Sequence, residues 1–272
     1  MNRYELRRGV IHRAYAEAIY PTIDPGSVRL VISDGAYGMK KAAWDMVSID
    51  DLPAWYSPHI EAWGRLCMPS ASVYLWNTAA GWARLDPVMR AAGWTFRALV
   101  TWDKGLGFLA GKCDVEGCRT WPDVTEVCGF YQREPDWSSM VRRAVSACPD
   151  TRSSICEMIG IDTRLLQFWE DGERFPSWEL WRRAWEVLRG PFGEWSTYHM
   201  QTMQTVRCAS DADIRADWEC FRPPFTLPPG ITNVWTHQQV GGAERLKGPD
   251  GKALHPCQKP LTFSDRMIRA SS

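Results

Sequence analysis

Four consecutive residues carry the groups for one demanding reaction. Val28-Arg29-Leu30-Val31-Ile32-Ser33, short, apolar and β-branched, runs straight into Asp34-Gly35-Ala36-Tyr37. An exocyclic amino group on a nucleobase is a poor nucleophile, because its lone pair is delocalised into the ring. To alkylate it, a protein must accept its hydrogens and hold the nitrogen in line with a donor, with the base outside any duplex. Asp34 offers a carboxylate, the Gly35 carbonyl a second acceptor, and Tyr37 a ring that could stack on the base. Taken alone, the same residues also read as a strand-to-helix turn with Asp34 capping a helix N-terminus.

Such a loop must be positioned by a strand, and the flanking sequence supplies an α/β pattern. Residues 10–38 begin helix-like and turn into the strand 28–33, which Pro25-Gly26 precedes. Ending on an acid and an aromatic in a turn, it resembles the carboxyl end of a parallel strand, where open α/β sheets place ligands. Helical spacing follows over Leu52–Leu66, with Trp55, Ile60, Trp63 and Leu66 as apolar positions, and over Trp82–Ala92, closed by Gly93. Ser72–Trp76, Thr95–Trp102 and Val124–Tyr131 read as strands. The alternation predicts an α/β sheet with mainly parallel strands. It breaks at Glu134-Pro135-Asp136. Short helices are expected from Ser138 to Leu188, little periodicity over 191–230, a strand at Ile231–Trp235 and a last helix from about Pro260. The expected organisation is therefore a region 1–135 holding the Asp34 loop, an inserted region 136–230 and a return segment 231–272.

Composition sets outer limits. Among 272 residues, 45% are hydrophobic, enough for a sizeable core, and the formal net charge is zero, so any nucleic-acid contact must come from a local patch. Sixteen Trp supply large rings, most of which belong in a core. No run approaches the ~20 apolar residues of a membrane helix. Met1–Arg8 has no apolar run behind its charges, so a signal peptide is not expected, and nine irregularly spaced Cys read as reduced thiols of a cytoplasmic protein. Cys113, Cys118 and Cys128 lack the paired spacing of a zinc site, so no metal is expected.

Several segments together resemble the DNA amino-methyltransferases acting on adenine N6 or cytosine N4. Their loop reads Asp/Ser/Asn-Pro-Pro-Tyr/Phe after a short apolar strand; here Gly35 and Ala36 replace the prolines, and a looser loop is expected. Asp rather than Ser at its first position points to adenine N6. Thr101-Trp102-Asp103-Lys104-Gly105, then Glu126 with Phe130-Tyr131, resemble later strands of the family. Asn233-Val234-Trp235-Thr236 and His255-Pro256-Cys257-Gln258-Lys259-Pro260-Leu261 resemble its Val-Trp strand and its His-Pro-Thr-Gln-Lys-Pro segment. The resemblance implies a Rossmann-like sheet, S-adenosylmethionine as cofactor, double-stranded DNA as partner, and His255, Pro256, Gln258, Lys259 and Pro260 at the methyl-donor pocket.

The order of these segments is that of the beta class, in which a Phe-x-Gly-x-Gly motif follows the last of them. Gly241-Gly242 and Gly105-x-Gly107 do not follow apolar strands in the required way. In the family the strand bearing that motif lies beside the strand ending at Asp34. The resemblance therefore implies a split enzyme, whose second subunit brings the motif and covers an otherwise exposed apolar edge. Truncation of a longer enzyme, or a catalytically inactive DNA-binding protein, is the alternative.

A separate signal lies in the inserted region. Ser153–Ile161, a turn at Gly160, and a helix capped by Asp162 and running through Trp169 resemble a phage-repressor helix-turn-helix, with Trp169–Ser177 as its signature. Thr163, Arg164 and Gln167 would then face base edges in the major groove. Residues 138–190 carry as many acids as arginines, a balance that also suits a helical bundle that packs or assembles; because region 136–230 lies where the family keeps its target-recognition region, the resemblance puts DNA reading ahead.

Overall fold

The computed structural model describes residues 2–7, 9–40, 45–105, 116–117, 119–133, 137–192, 210–222, 225–227, 229–254 and 257–271. The chain forms two compact units, Met1–Arg133 with Pro224–Ser272, and Glu134–Pro223.

The first unit is built on a five-stranded mixed sheet. Its strands are β3 (Val28–Ser33), β4 (Cys67–Asn77), β5 (Thr95–Asp103), β6 (Thr125–Gln132) and β7 (Val234–Thr236), in the order β3-β4-β6-β5-β7. β3 is parallel to β4 and β7 to β5, whereas β6 is antiparallel to both of its neighbours. Four strands therefore run one way, as the alternation requires, and β6 opposes them. The sequence holds the reason: no helical periodicity separates β5 from β6, and a parallel pair needs a crossover. The arrangement brings the ends of β3, β4 and β5 and the start of β6 to one edge, with Asn77 opposite Val127 and Asp103 opposite Thr125.

Strand alternation sorts the core into two layers. Val73 and Leu75 of β4 face Leu52, Tyr56 and Ile60 of α1 (Leu52–Leu66) and Leu85 and Met89 of α2 (Ala79–Ala91). Tyr74 and Trp76 face the other way, toward a cluster with Phe263 and Met267 near the chain's end. In α1 the buried stripe passes through Tyr56, Ile60 and Trp63, leaving Trp55, expected on the apolar face, 37% exposed. α2 starts earlier than its apolar residues suggest, because the Thr78 hydroxyl accepts the Gly81 N–H at 3.1 Å.

The N-terminal residues correct the expectation of a helix-like start. β1 (Asn2–Leu6) and β2 (Gly9–Arg13) form an antiparallel ribbon, followed by 3-10 turns at Ala16–Ala18 and Tyr20–Thr22. Beside β3, no strand pairs its outer edge among the described residues, and Ile32 is 37% exposed.

The second unit is helical: α3 (Trp137–Ala147), α4 (Arg152–Ile159), α5 (Thr163–Glu170), α6 (Trp178–Phe192) and α7 (Asp211–Phe221). α7 falls where little periodicity is expected; its Ile214 and Trp218, one turn apart, are buried. Thr151 caps α4, Gly160 turns the chain at φ +80°, and Asp162 caps α5 through the Leu165 N–H. Ile155, Ile159, Leu166, Trp169 and Trp181 fill the core, and Arg152 closes on the buried Glu170. Back in the first unit, the last helix, α8 (Leu261–Ser271), begins just after Pro260. Leu166 is fully buried, so Leu166→Ala is expected to destabilise the helical unit by about 2–5 kcal/mol, read as a lowered midpoint in urea unfolding followed by circular dichroism.

Candidate active site

No helix starts at Asp34, and among the described residues the next begins at Leu52, so Asp34 caps none. The carboxylate instead belongs to a cluster with side chains from three distant points of the chain, Lys104, Glu126 and Lys259. Lys259 Nζ, in the lead-in to α8, lies 2.9 and 3.2 Å from the two Asp34 oxygens, 3.0 Å from the Tyr37 hydroxyl and 3.0 Å from Glu126 Oε2. The Tyr37 hydroxyl lies 2.9 Å from Asp34 Oδ1 and 3.2 Å from Glu126 Oε2. Lys104, just past β5, donates to Glu126 Oε1 at 2.6 Å. Two carboxylates and two ammonium groups thus alternate at the edge where β3, β5 and β6 converge. The rings of Tyr37, Trp76 and Trp102 surround the Lys259 ammonium at 5.2, 5.4 and 5.9 Å. Three of the charged side chains are nearly closed to solvent, whereas Asp34 is 32% exposed and forms the open face.

Burial alone would raise the Glu126 pKa, but Lys259 and Lys104 outweigh it and hold the carboxyl below its ordinary 4.5. Burial would likewise lower Lys259, and Asp34 and Glu126 outweigh it, so the ammonium stays charged above its ordinary 10.5. Burial, reinforced by the two carboxylates, pushes the Tyr37 hydroxyl well above its usual range, keeping it neutral.

The loop itself is firmly held, against the expectation that losing two prolines loosens it. The buried Asp45 carboxylate accepts the N–H groups of Tyr37 and Gly38 at 2.8 Å each and of Met39 at 3.1 Å. The Ala36 carbonyl accepts Asn77 Nδ2 at 3.0 Å and the Tyr56 hydroxyl at 3.2 Å. A Cβ at Gly35 would stand 2.7 Å from that hydroxyl and 3.3 Å from the Trp55 ring, so a side chain there would displace the Tyr56 hydroxyl. Gly38, at φ +73°, packs against the backbone of Ile49. Asp45, Tyr56 and Asn77 have no signal in the sequence; their roles emerge only once the loop is folded over them.

The expected site residues divide. Asp34, Gly35, Ala36, Tyr37 and Lys259 come together. No donor reaches the Gly35 carbonyl among the described residues, whereas the Ala36 carbonyl is taken. Tyr37 is corrected in role: its ring is buried under the Lys259 ammonium, so it anchors Asp34 and presents no free stacking face. His255 and Pro256 lie outside the described residues. Gln258 bridges the Glu244 carbonyl (2.8 Å) and the Leu246 N–H (3.0 Å), pinning one loop, and Pro260 is buried at the entrance to α8. Gln258 and Lys259 thus have their polar atoms engaged inside the protein. In the helical unit, Thr163, Arg164 and Gln167 are exposed on α5; Arg164 lies over the Phe168 ring at 5.5 Å, and the Gln167 amide joins Arg152 and Asp171.

No family model and no curated protein matches the chain. Partial overlaps exist with solved structures. M1.HpyAVI in complex with SAM is 13% identical, with 45% of this chain and 53% of that one covered and a TM-score of 0.31. The cytosine-N4-specific PvuII DNA methyltransferase is 10% identical over 74% and 88% of the two chains, TM-score 0.34. TTHA0409 from Thermus thermophilus, complexed with S-adenosyl-L-methionine, is 16% identical over 62% and 70%, TM-score 0.31. The chain thus spans about half the length of M1.HpyAVI.

The charge cluster carries a pH signature. Glu126, with its lowered pKa, contributes stability that is complete above the ordinary carboxyl value of 4.5 and is lost as pH falls through its folded value. Lys259, with its raised pKa, contributes stability that is complete below 10.5 and is lost as pH rises through its folded value. Stability from the cluster is therefore expected to stay level between those limits and fall on both sides. Lys259→Met, which leaves Asp34 without a cation and Glu126 with Lys104 alone, is expected to cost about 3–5 kcal/mol near neutrality and to remove the alkaline fall, as measured by urea unfolding across pH.

Proposed function

We propose that this chain belongs to a DNA amino-methyltransferase that methylates an exocyclic amino group, adenine N6, of an extruded base. The observation that carries the proposal is the meeting of Lys259 with Asp34 and Tyr37: the two segments that most resemble the family, far apart in sequence, share one site at the strand tips. Asp34 is the exposed carboxylate of that site and accepts one amino hydrogen; the Gly35 carbonyl accepts the other. Tyr37, Glu126 and Lys104 position Asp34. An entering amino group takes over the place on Asp34 that the Lys259 ammonium holds. As the nitrogen gains a methyl group it loses a proton, and Asp34 is the base at hand.

S-adenosylmethionine, when bound, supplies the methyl group on a sulfonium centre. The resemblance would put it against His255–Pro260, where Gln258 already bridges Glu244 and Leu246 and Lys259 already pairs with Asp34 and Glu126. The open outer edge of β3 supports a further part of the proposal: a second polypeptide adds a strand there, carrying Phe-x-Gly-x-Gly.

Incubation of the chain with duplex DNA and S-adenosylmethionine, alone and with a polypeptide carrying that motif encoded beside it, tests the proposal through mass analysis of the nucleosides. N6-methyladenine is expected, reduced about 100-fold or more by Asp34→Asn. N4-methylcytosine instead would overturn the choice of base, and absence of both would overturn methyl transfer. The hold of Lys259 on Asp34 favours a second reading, DNA binding without methylation. Both readings assign α4 and α5 to DNA. Arg164→Ala with Gln167→Ala is accordingly expected to weaken binding of the target duplex by about 1–3 kcal/mol for each base edge left unread, measured by fluorescence anisotropy at fixed salt.

A further inference from the structure

On the sheet face that carries Tyr74 and Val100, a cavity of about 400 Å³ opens between the strands, α8 and the loop residues Phe225, Leu227 and Ile231–Asn233. Its floor is a ladder of rings: Tyr74 stacks on Phe130 at 4.7 Å, and Phe130 on Phe225 at 5.3 Å. The Tyr74 hydroxyl is spent on Ser271 at 2.9 Å, so Tyr74 offers the cavity its ring and not its hydroxyl. Ala98 and Ala270 leave the space that larger side chains would fill. The loop is tied to the helix before any ligand arrives, because the Thr226 N–H donates to the Ala270 carbonyl at 2.8 Å.

One cation lines this apolar space. Arg266 is half-buried, its guanidinium 5.4 Å from the Trp235 ring and 5.8 Å from the Phe263 ring. Arg269, in the same helix, is held by Asp265 at 2.8 and 2.9 Å. Arg266 has no carboxylate partner among the described residues. A guanidinium that stacks on rings keeps its in-plane N–H fork for a planar anion. The volume lies in the range of pockets for small organic molecules, and mostly apolar walls with one placed polar group fit that use.

We infer that this cavity binds a small aromatic carboxylate, its ring against Tyr74, Phe130 and Phe225 and its carboxylate on Arg266. The site is separate from the Asp34 cluster and does not depend on methyl transfer.

Titration of the full chain with 1-naphthylacetate by calorimetry tests this. Saturable one-to-one binding is expected, weakened about tenfold or more by Arg266→Gln and to a similar degree when the neutral 2-(1-naphthyl)ethanol replaces the acid. Ala98→Leu, which fills the cavity while keeping Arg266, is expected to abolish binding with the circular dichroism spectrum unchanged. Absence of saturable heat at millimolar ligand would overturn the inference, as would equal affinity for the acid and the alcohol.

Discussion

Two carboxylates at the strand tips, Asp34 and Glu126, can be kept there only if cations come to meet them. Glu126 is nearly closed to water, and an unpaired charge in such a place costs several kcal/mol. Lys104 arrives from the adjacent strand, but Lys259 must come from the other end of the chain. Its arrival obliges the lead-in to α8 to cross the edge of the sheet, and with it the face of α8 that covers Trp76 and Tyr74. A buried pair of this kind adds little net stability, yet breaking it is expensive. Its effect is to fix register: the ends of β3 and β5 and the starts of β6 and α8 have to meet at one point.

The rings of Tyr37, Trp76 and Trp102 do for Lys259 what water would otherwise do, spreading weak attraction around the ammonium while excluding solvent. Much of the chain's Trp content is used in this structural way. Trp76, Trp94, Trp102 and Trp169 are fully buried, and Trp55 is a large ring left partly open beside the Asp34 loop.

The sheet and the loop are readable in the sequence to different depths. The strand before Asp34 and the helix Leu52–Leu66 have the bounds that their apolar patterns suggest, because burial on one side leaves a clear period. The direction of β6 is less legible, since alternation of residues says nothing of strand polarity. The β1–β2 ribbon escapes such a reading because its alternating residues are largely exposed, and α7 because two buried residues one turn apart make too short a period. At the site, Asp34 and Lys259 stand out through resemblance, but the burial of Tyr37 cannot be read from its type. An aromatic beside an acid looks the same whether its ring faces a ligand or a lysine.

The bend that carries Tyr37 is gauged by one side chain. Three successive N–H groups converge on the Asp45 carboxylate, so the curvature of the segment is set by how far that single arm reaches. Proline rings would have written the same curve into the backbone itself, locally and once. Here the shape is borrowed from a neighbouring stretch of chain: a carboxylate one methylene longer would redraw the arc and tilt the tip of β3 without altering any residue of the tip.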